Sequence, residues 1–427
     1  EDIKFIDREI DLILLAIPSL THNKRTIILN KLKNIGIETL LIPSLDDIAS
    51  GRASINNLRR ISISDLLSRD TIHYEKNEVR KVFSSKTICI VGAGGSIGSE
   101  LCSQILSFNP HKIILIEFSE PSLYKINDDL KNRLENKNIE ILPLLGNACS
   151  KSFIDNTFKK NKIDIVFHCA AYKHVPIVEI NPLEGLFNNI VSTEVICSAA
   201  ETFSCEKLIY ISTDKAVRPA NVMGASKRIC ELIVQAFNEK NKNKKTCFSM
   251  VRFGNVLNSS GSVLPLFRKQ IENGGPLTLT DEKVYRYFMS IPEAVQLVLQ
   301  ATSLAVGGEV FLLEMGKPVA IRELAEKIIL LSGLTIKSKD NPNGDIEIKI
   351  TGLRPGEKLK EELLIDSKAE KTKHPYIFKA HESFLDYKKL MTLVSDLKKE
   401  ISKQENVKSL QLLKKIIPEW TSLNKKN

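Results

Sequence analysis

The chain has 427 residues, 43% of them hydrophobic, and a formal net charge of +10, enough length for two to three domains. Its eight cysteines (Cys89, Cys102, Cys149, Cys169, Cys197, Cys205, Cys230 and Cys247) stand singly, with no CxxC pair and no His-rich partner segment, which argues against a disulfide framework or a metal site and for reduced, cytosolic thiols. Lysine is spread along the chain without a basic block interleaved with aromatics; that argues against a nucleic-acid surface and leaves solvated lysine faces, or attraction to anionic lipid or a nucleotide-sugar, as the reading of the charge.

Residues 1–62 read as a small α/β unit. "DLILLAIPS" is a strand, "NKRTIILNKLKNIG" an amphipathic helix ending at Gly36, and "IETLLIPS" a second strand. The apolar run "IDLILLAIPSL" is too short and too charged at its start to cross a membrane. The chain begins at Glu1 rather than Met, so an upstream segment is expected. A linker of mixed polarity is expected over 63–85.

A long alternation follows. The apolar runs "TICIVGA", "HKIILIEF", "IEILPLL", "IDIVFHCAA", "KLIYIST" and "CFSMVRFG" alternate with helical patterns such as "SIGSELCSQILSF" and "ASKRICELIVQAFNE". Continuous apolar runs separated by helices are the mark of buried parallel strands with crossover connections. The fold class expected over 86–381 is therefore a doubly wound α/β sheet of Rossmann type. The order loosens beyond residue 257, as for a smaller substrate lobe, mainly 257–381. Residues 382–427 read as helical and polar.

"CIVGAGGSIGSEL" places Gly92, Gly95 and Gly98 between a strand and a helix that opens at Ser96 and Ile97. Such glycines allow a tight turn, close approach of backbone to a pyrophosphate and tight helix–strand packing, with the helix N-terminus facing the phosphates. An acid, Glu117, ends the next strand at the distance a dinucleotide site requires. Its carboxylate can accept from ribose hydroxyls and repels a 2′-phosphate, and no Arg or Lys follows closely, so NAD is expected rather than NADP. Asn147 and Ala148 end the third strand, and the Asn147 carbonyl can accept from an adenine amine. Ala170 and Ala171, after the fourth strand, complete the expected cofactor set.

Six segments carry a family resemblance: "VGAGGSIGSEL", "HCAAYKHVPIVEINPLEGLFNNIVST", "YISTDKAVRPANVMGASK", "VRFGNVLNSSGSVLPLF", "RYFMSIPEA" and "GLRPGEKLKEELL". In this order they resemble the extended short-chain dehydrogenase/reductase superfamily. More narrowly, they resemble the large membrane-associated polysaccharide-biosynthesis dehydratases that remove water across C5 and C6 of UDP-N-acetylglucosamine. The resemblance implies a tightly bound NAD regenerated in each turnover. It also implies membrane helices upstream of residue 1 and a place on the cytoplasmic face of a bacterial inner membrane. A homodimer through long helices is usual in that superfamily, although these helices could equally be buried within one chain. Asn147 stands where the commoner residue is Asp.

That superfamily usually carries Tyr-x-x-x-Lys, where the Tyr is the working base. Here the stretch "ISTDKAVRPANVMGASK" has Met223 four residues before Lys227, and a thioether cannot take a proton. The same stretch offers a replacement. Thr213, Asp214 and Lys215 follow an apolar strand, at the sheet edge where ligands bind in open α/β folds. Asp214, held protonated, can give its proton to a leaving hydroxyl; Lys215, with its pKa lowered by burial or by Lys227, can take the C5 proton; Thr213 can relay the O4 proton. The resemblance implies the same roles for the Met-containing branch, with Lys227 holding the nicotinamide ribose. For the substrate it implies Asn255 at the diphosphate or sugar, Arg286 and Arg354 at the pyrophosphate, Glu357 at the uridine ribose, and Lys173 lining the site; His174 stays outside the chemistry. Two other readings compete: a UDP-sugar 4-epimerase, which needs no acid–base pair at C5 and C6 and normally relies on the missing Tyr, and a catalytically silent NAD-binding protein.

Overall fold

The computed structural model describes residues 76–134, 138–241, 246–364, 369–380 and 382–421, with a few short pieces of the first 75 residues. Among those pieces, Leu12–Leu15 pairs in parallel with Glu38–Leu41, and Arg59–Arg60 pairs antiparallel with the second strand. The helix expected over 23–36 lies, but for one residue, outside the described residues. The second part of the expected linker is a helix, α1 (Lys76–Phe83). It is held by burial: Val79 and Phe83 are 0% exposed, and the Phe83 ring meets those of Phe108 and Phe167 at 5.8 and 6.1 Å.

The chain forms two compact units. The larger carries a nine-stranded sheet. In chain order its strands are β1 (Thr87–Val91), β2 (Lys112–Glu117), β3 (Glu140–Leu145), β4 (Ile165–His168), β5 (Lys207–Ile211), β6 (Cys247–Arg252), β7 (Val310–Leu313), β8 (Ala369–Lys371) and β9 (Ile377–Ala380). Their order across the sheet is β3-β2-β1-β4-β5-β6-β7-β9-β8. Strands β1 to β7 pair in parallel, whereas β9 runs antiparallel to β7 and β8 antiparallel to β9. The doubly wound expectation is met: the six apolar runs are β1 to β6, and the order reverses between β1 and β4. A crevice for a ligand opens at such a switch point, beyond the strand ends. The antiparallel edge is an addition that the sequence pattern does not announce.

Helices cover the sheet. They are α2 (Ser96–Ile105), α3 (Glu120–Asn132), α4 (Lys151–Asn161), α5 (Val175–Ile180), α6 (Pro182–Thr202), α7 (Val222–Lys240), α8 (Ile291–Leu304), α9 (Tyr387–Ser402) and α10 (Asn406–Ile416). Helix α8 packs on α1 and α2, and α6, α7, α9 and α10 share a core. In α7 every residue from Val222 to Phe237 is buried, so this helix is apolar enough to be enclosed and carries its few polar groups into the interior. The C-terminal segment is amphipathic rather than simply polar: Leu390, Val394, Leu397, Leu413, Ile417 and Trp420 sink into the same core.

The smaller unit, in its described part beyond residue 75, is Leu257–Ser290 and Lys317–Leu353. It has helices Val263–Glu272 and Ile321–Leu331 and a parallel sheet in which Ile346–Ile350 lies between Leu277–Leu279 and Ile336–Lys337. Leu264, Phe267, Leu277, Leu324 and Ile329 form its core. Beyond residue 75 it is thus made of two excursions of the chain, where a lobe mainly within 257–381 was expected. Helix α8 and strand β7 in between, and everything from Arg354 on, belong to the larger unit.

Candidate active site

After β1 the chain turns at Gly92, whose φ is +82°. A Cβ there would lie 2.7 Å from the backbone nitrogen of Ala170, and one on Gly98 would lie 2.1 Å from the Gly92 carbonyl oxygen. Both positions therefore need glycine, the first for its left-handed backbone and both for close approach. Gly95 differs: it is exposed, and the nearest atom to a Cβ would be the Gly92 carbonyl at 3.4 Å. It caps α2 and, as glycine, offers the first N–H groups no side chain, and the first turn has no acid. Ser96 and Ile97 open that helix, half-buried. A helix N-terminus behind a glycine cradle suits a diphosphate.

Glu117 binds the loop together. Its Oε2 accepts from the Gly94 N–H at 2.9 Å, and its Oε1 accepts from the N–H groups of Phe118 and Ser119 at 2.9 and 3.0 Å. A carboxylate has about four acceptor positions, so this acid can hold the loop and still face a hydroxyl. Asn147 behaves otherwise than expected: its carbonyl oxygen is turned onto the N–H of Cys149 at 2.8 Å. The adenine contact foreseen for that oxygen would have to be shared with its own chain. Ala148, Ala170 and Ala171 are half-buried, and Lys173 and His174 stand exposed before α5.

At the end of β5 the catalytic candidates come together. Asp214 is 0% exposed, and its N–H bonds the Phe253 carbonyl at 3.0 Å. Its Oδ1 accepts from the Thr213 hydroxyl at 2.9 Å and from Lys215 Nζ at 3.0 Å. Its Oδ2 is buried and has no hydrogen-bond partner among the described residues. A buried, unsatisfied oxygen is costly, and a proton carried there or a bound hydroxyl would satisfy it. Lys215 Nζ also donates to Asn255 Oδ1 at 3.1 Å and lies 3.8 Å from Glu361 Oε1. Asn255, assigned by resemblance to the substrate, thus grips the lysine.

Helix α7 is set against this turn. Asn221 caps it, accepting from the Gly224 N–H at 2.7 Å, while Glu179 of α5 accepts from the Val222 N–H at 2.6 Å. Gly224 comes so close that a Cβ would lie 2.2 Å from the Lys215 carbonyl. Met223 is 2% exposed and packs in the apolar core. One turn on, Lys227 Nζ donates to the Ile211 carbonyl at 2.7 Å and sits 4.2 Å from the centre of the Tyr210 ring. Burial lowers its pKa to about 8.

The loop from Arg354 to Glu362 lies along the same turn. Lys358 donates to the Val217 carbonyl at 3.0 Å, Glu362 pairs with Arg218, and the Gly356 carbonyl accepts from Asn221. Arg354 is exposed; its N–H bonds Glu357 Oε2 at 3.2 Å, so Glu357 closes its own turn. Arg286 belongs to the smaller unit, where it is 7% exposed and donates to the Tyr285 carbonyl at 2.8 Å.

Beneath the turn lie four buried charges. Arg252, at the end of β6, takes Glu231 of α7 through Nε and Nη2 at 3.0 and 2.7 Å, and Glu382 at 2.7 and 3.0 Å. Arg228 adds contacts to the same two acids at 3.1 and 2.9 Å. Ser212, beside Thr213, donates to Glu231 at 2.6 Å. Burial pushes Glu231 up, but the charge and hydrogen bonds of Arg252, with Arg228 and Ser212, outweigh it and hold the acid below its ordinary value. Sequence reading missed this quartet, together with Glu361, Glu179 and Asn221. Asn221, directly before an apolar helix, had a readable capping signal; the others have none within their own segments.

The profile of a family described as polysaccharide biosynthesis protein matches residues 88–382. Capsular polysaccharide biosynthesis protein CapD of Staphylococcus aureus is 48% identical over 353 residues, which are 82% of this chain and 57% of that protein. This chain therefore spans a little over half of that relative's length. A UDP-N-acetylglucosamine 4,6-dehydratase (inverting) of Campylobacter jejuni is 33% identical, covering 67% of this chain and 79% of its own. A UDP-glucose 4-epimerase of Rickettsia bellii is 34% identical, covering 66% and 79%. No helix among the described residues is long and apolar enough to cross a membrane.

Proposed function

The chain belongs to the polysaccharide biosynthesis protein family, and from that premise we propose that it is an NAD-dependent 4,6-dehydratase of UDP-N-acetylglucosamine. The observation that carries this reading is Asp214: a fully buried carboxyl with one oxygen on a hydroxyl and an ammonium, and the other bare. Such a group is built to hold and release a proton.

Gly92, Gly95, Ser96, Ile97 and Gly98 would hold the pyrophosphate of NAD, Glu117 its adenosine ribose, Asn147 and Ala148 its adenine, and Lys227 its nicotinamide ribose, with Ala170 and Ala171 lining the loop. Bound NAD would supply the hydride chemistry, acceptance from C4 of the sugar and return at C6. The protein moves the protons. The O4 proton passes through the Thr213 hydroxyl to solvent, while that hydroxyl stays anchored beside Asp214 Oδ1 at 2.9 Å. Lys215, as a free amine, takes the C5 proton that the C4 ketone has made acidic. Asp214 gives a proton to the departing O6, and water leaves. Lys215 or solvent then protonates C5. Solvent, which took up the O4 proton, returns one to Asp214, so the acid ends as it began. Met223 takes no part: the base at O4 has been delegated to Thr213. Arg354 and Glu357 would meet the nucleotide end of the substrate.

The epimerase relative, as similar in sequence as the dehydratase, supports a second reading, UDP-sugar 4-epimerase. That reaction leaves Asp214 and Lys215 without a task at C5 and C6. The biological setting proposed is supply of a deoxy-keto sugar for polysaccharide assembly at the cytoplasmic face of the membrane. The test is mass spectrometry of UDP-N-acetylglucosamine after incubation with the purified protein. A product lighter by one water, with no net NADH, supports the dehydratase. An unchanged mass with new C4-epimer signals by NMR supports the epimerase. No reaction, with NAD bound, supports a silent binding protein.

A further inference from the structure

Lys215 stands between two carboxyl groups, although the dehydratase chemistry calls on only one. Asp214 precedes it in the chain. The other, Glu361, comes from the far loop; its side chain is 4% exposed, and its Oε1 lies 3.8 Å from Nζ. A tether is not needed there. The loop is already fastened by Lys358 on the Val217 carbonyl, by Asn221 on the Gly356 carbonyl and by Arg218 on Glu362. The Glu361 carboxylate therefore brings charge to Lys215 more than it brings attachment.

The chemistry shows why such a charge matters. Elimination needs Asp214 protonated and Lys215 neutral at the same moment. A second carboxylate lets two protons be shared by three groups. Asp214 keeps its own proton while Glu361, ionised, faces the ammonium; net charge is zero. The base is then armed by one proton shift relayed by a water across the 3.8 Å gap: a bond from Nζ to hydrogen breaks, a bond from hydrogen to Glu361 forms, and the water is returned unchanged. No co-reactant is consumed, and such coupled groups titrate as a set.

We propose that Glu361 is a positioning residue that sets the protonation state of Lys215. The inference rests on the dehydratase reading for the task of Lys215, but its electrostatic content does not. Around the amine stand Asp214 from the turn after β5, Asn255 after β6 and Glu361, with the Thr213 hydroxyl on Asp214; the same turn and loop also carry the Arg218–Glu362 pair and Lys358. An anion beside an ammonium favours its charged form, so removing the anion frees the amine at lower pH.

The experiment is competitive acetylation of the whole chain with acetic anhydride across a pH series, with the peptide carrying Lys215 followed by mass spectrometry. In Glu361→Gln, Lys215 should label at least about tenfold faster than in wild type at a given pH below its midpoint. NAD content should stay unchanged, and the rising limb of the pH–rate profile should move to lower pH. Glu361→Asp, which draws the charge back by one methylene, should raise labelling by a smaller factor; it also serves if the Gln variant does not fold. Equal labelling in wild type and both variants overturns the proposal. Labelling needs no sugar, so it reads the Glu361–Lys215 coupling even if no keto product forms and the dehydratase reading fails.

Discussion

Asn221 and Gly356, 135 residues apart, are joined by a 2.9 Å hydrogen bond from the side-chain amide to the carbonyl oxygen. The contact is tight: Gly356 has φ +74°, and a Cβ on it would lie 2.6 Å from the Asn221 Cβ. The other end of the same amide caps α7 at Gly224. One side chain thus ties the helix of Lys227 to the loop of Glu361. Asn221→Ala should lose about 1–2 kcal/mol of stability and most of the activity. Asn221→Asp should keep the cap but not the bond to Gly356. Urea unfolding beside turnover separates the two: if Asp falls as far as Ala in stability, the cap is not the larger part.

Gly224→Ala tests how closely the helix must approach. Its Cβ would fall 2.2 Å from the Lys215 carbonyl, and backbone, unlike a flexible side-chain tip, cannot step aside. The turn should shift, and a shift near 1 Å costs about 100-fold in rate. Bound NAD should be retained, since the glycine cradle lies elsewhere. Wild-type turnover in this variant would mean that the turn tolerates displacement.

Asp214→Asn removes the proton but keeps the shape. Turnover should fall by about 10²–10⁴, while calorimetry still shows NAD and UDP-sugar binding. Full activity would take Asp214 out of the mechanism. In the same assay Met223→Tyr should leave the rate of the same order; its cost is packing, about 1–3 kcal/mol, because Met223 fills a buried place. A rescue by many orders of magnitude would mean that the native site is close to inactive.

His168 makes stability depend on pH. Burial, helped by the charge of Lys227, lowers its pKa from 6.5 to about 3. Between those values the unfolded chain binds a proton that the folded chain does not. The contribution is therefore fully present above pH 6.5 and is lost as pH falls toward 3, by up to about 5 kcal/mol. His168→Phe, still able to stack on Tyr210, should lose less stability than wild type between pH 7 and pH 5 in urea titrations. Parallel losses would assign the acid sensitivity to other groups.

The sheet was legible because five of its first six strands are enclosed and so are written as unbroken apolar runs; β3, at the edge, is part-exposed yet keeps an apolar run. The glycine loop was legible because its demands are local: a positive φ at Gly92, and close approach at Gly98 to a carbonyl six residues earlier. Thr213, Asp214 and Lys215 were legible for the same reason, being neighbours in one turn. Glu361 was not, since only the folded chain brings it to Lys215, and its own segment reads as a solvated charge run. The bond from the Cys149 N–H to the Asn147 carbonyl was not legible, because an exposed Asn can close a turn on its own backbone as readily as it can meet a ligand. The C-terminal helices read as polar because the single apolar stripe of each is diluted by lysines, and their burial is seen only once α7 is there to receive them.

Arg228, Glu231, Arg252 and Glu382 also limit how a lineage carrying this sequence can change. Exchange any one of them for an apolar residue and three buried charges remain, one of them uncompensated; such breaks cost about 3–5 kcal/mol, a large part of what most domains possess. A fully apolar replacement could be as stable, but it lies several simultaneous exchanges away. Each single apolar exchange passes through that destabilised state, so the quartet resists piecemeal replacement and is exchanged without loss only as a unit.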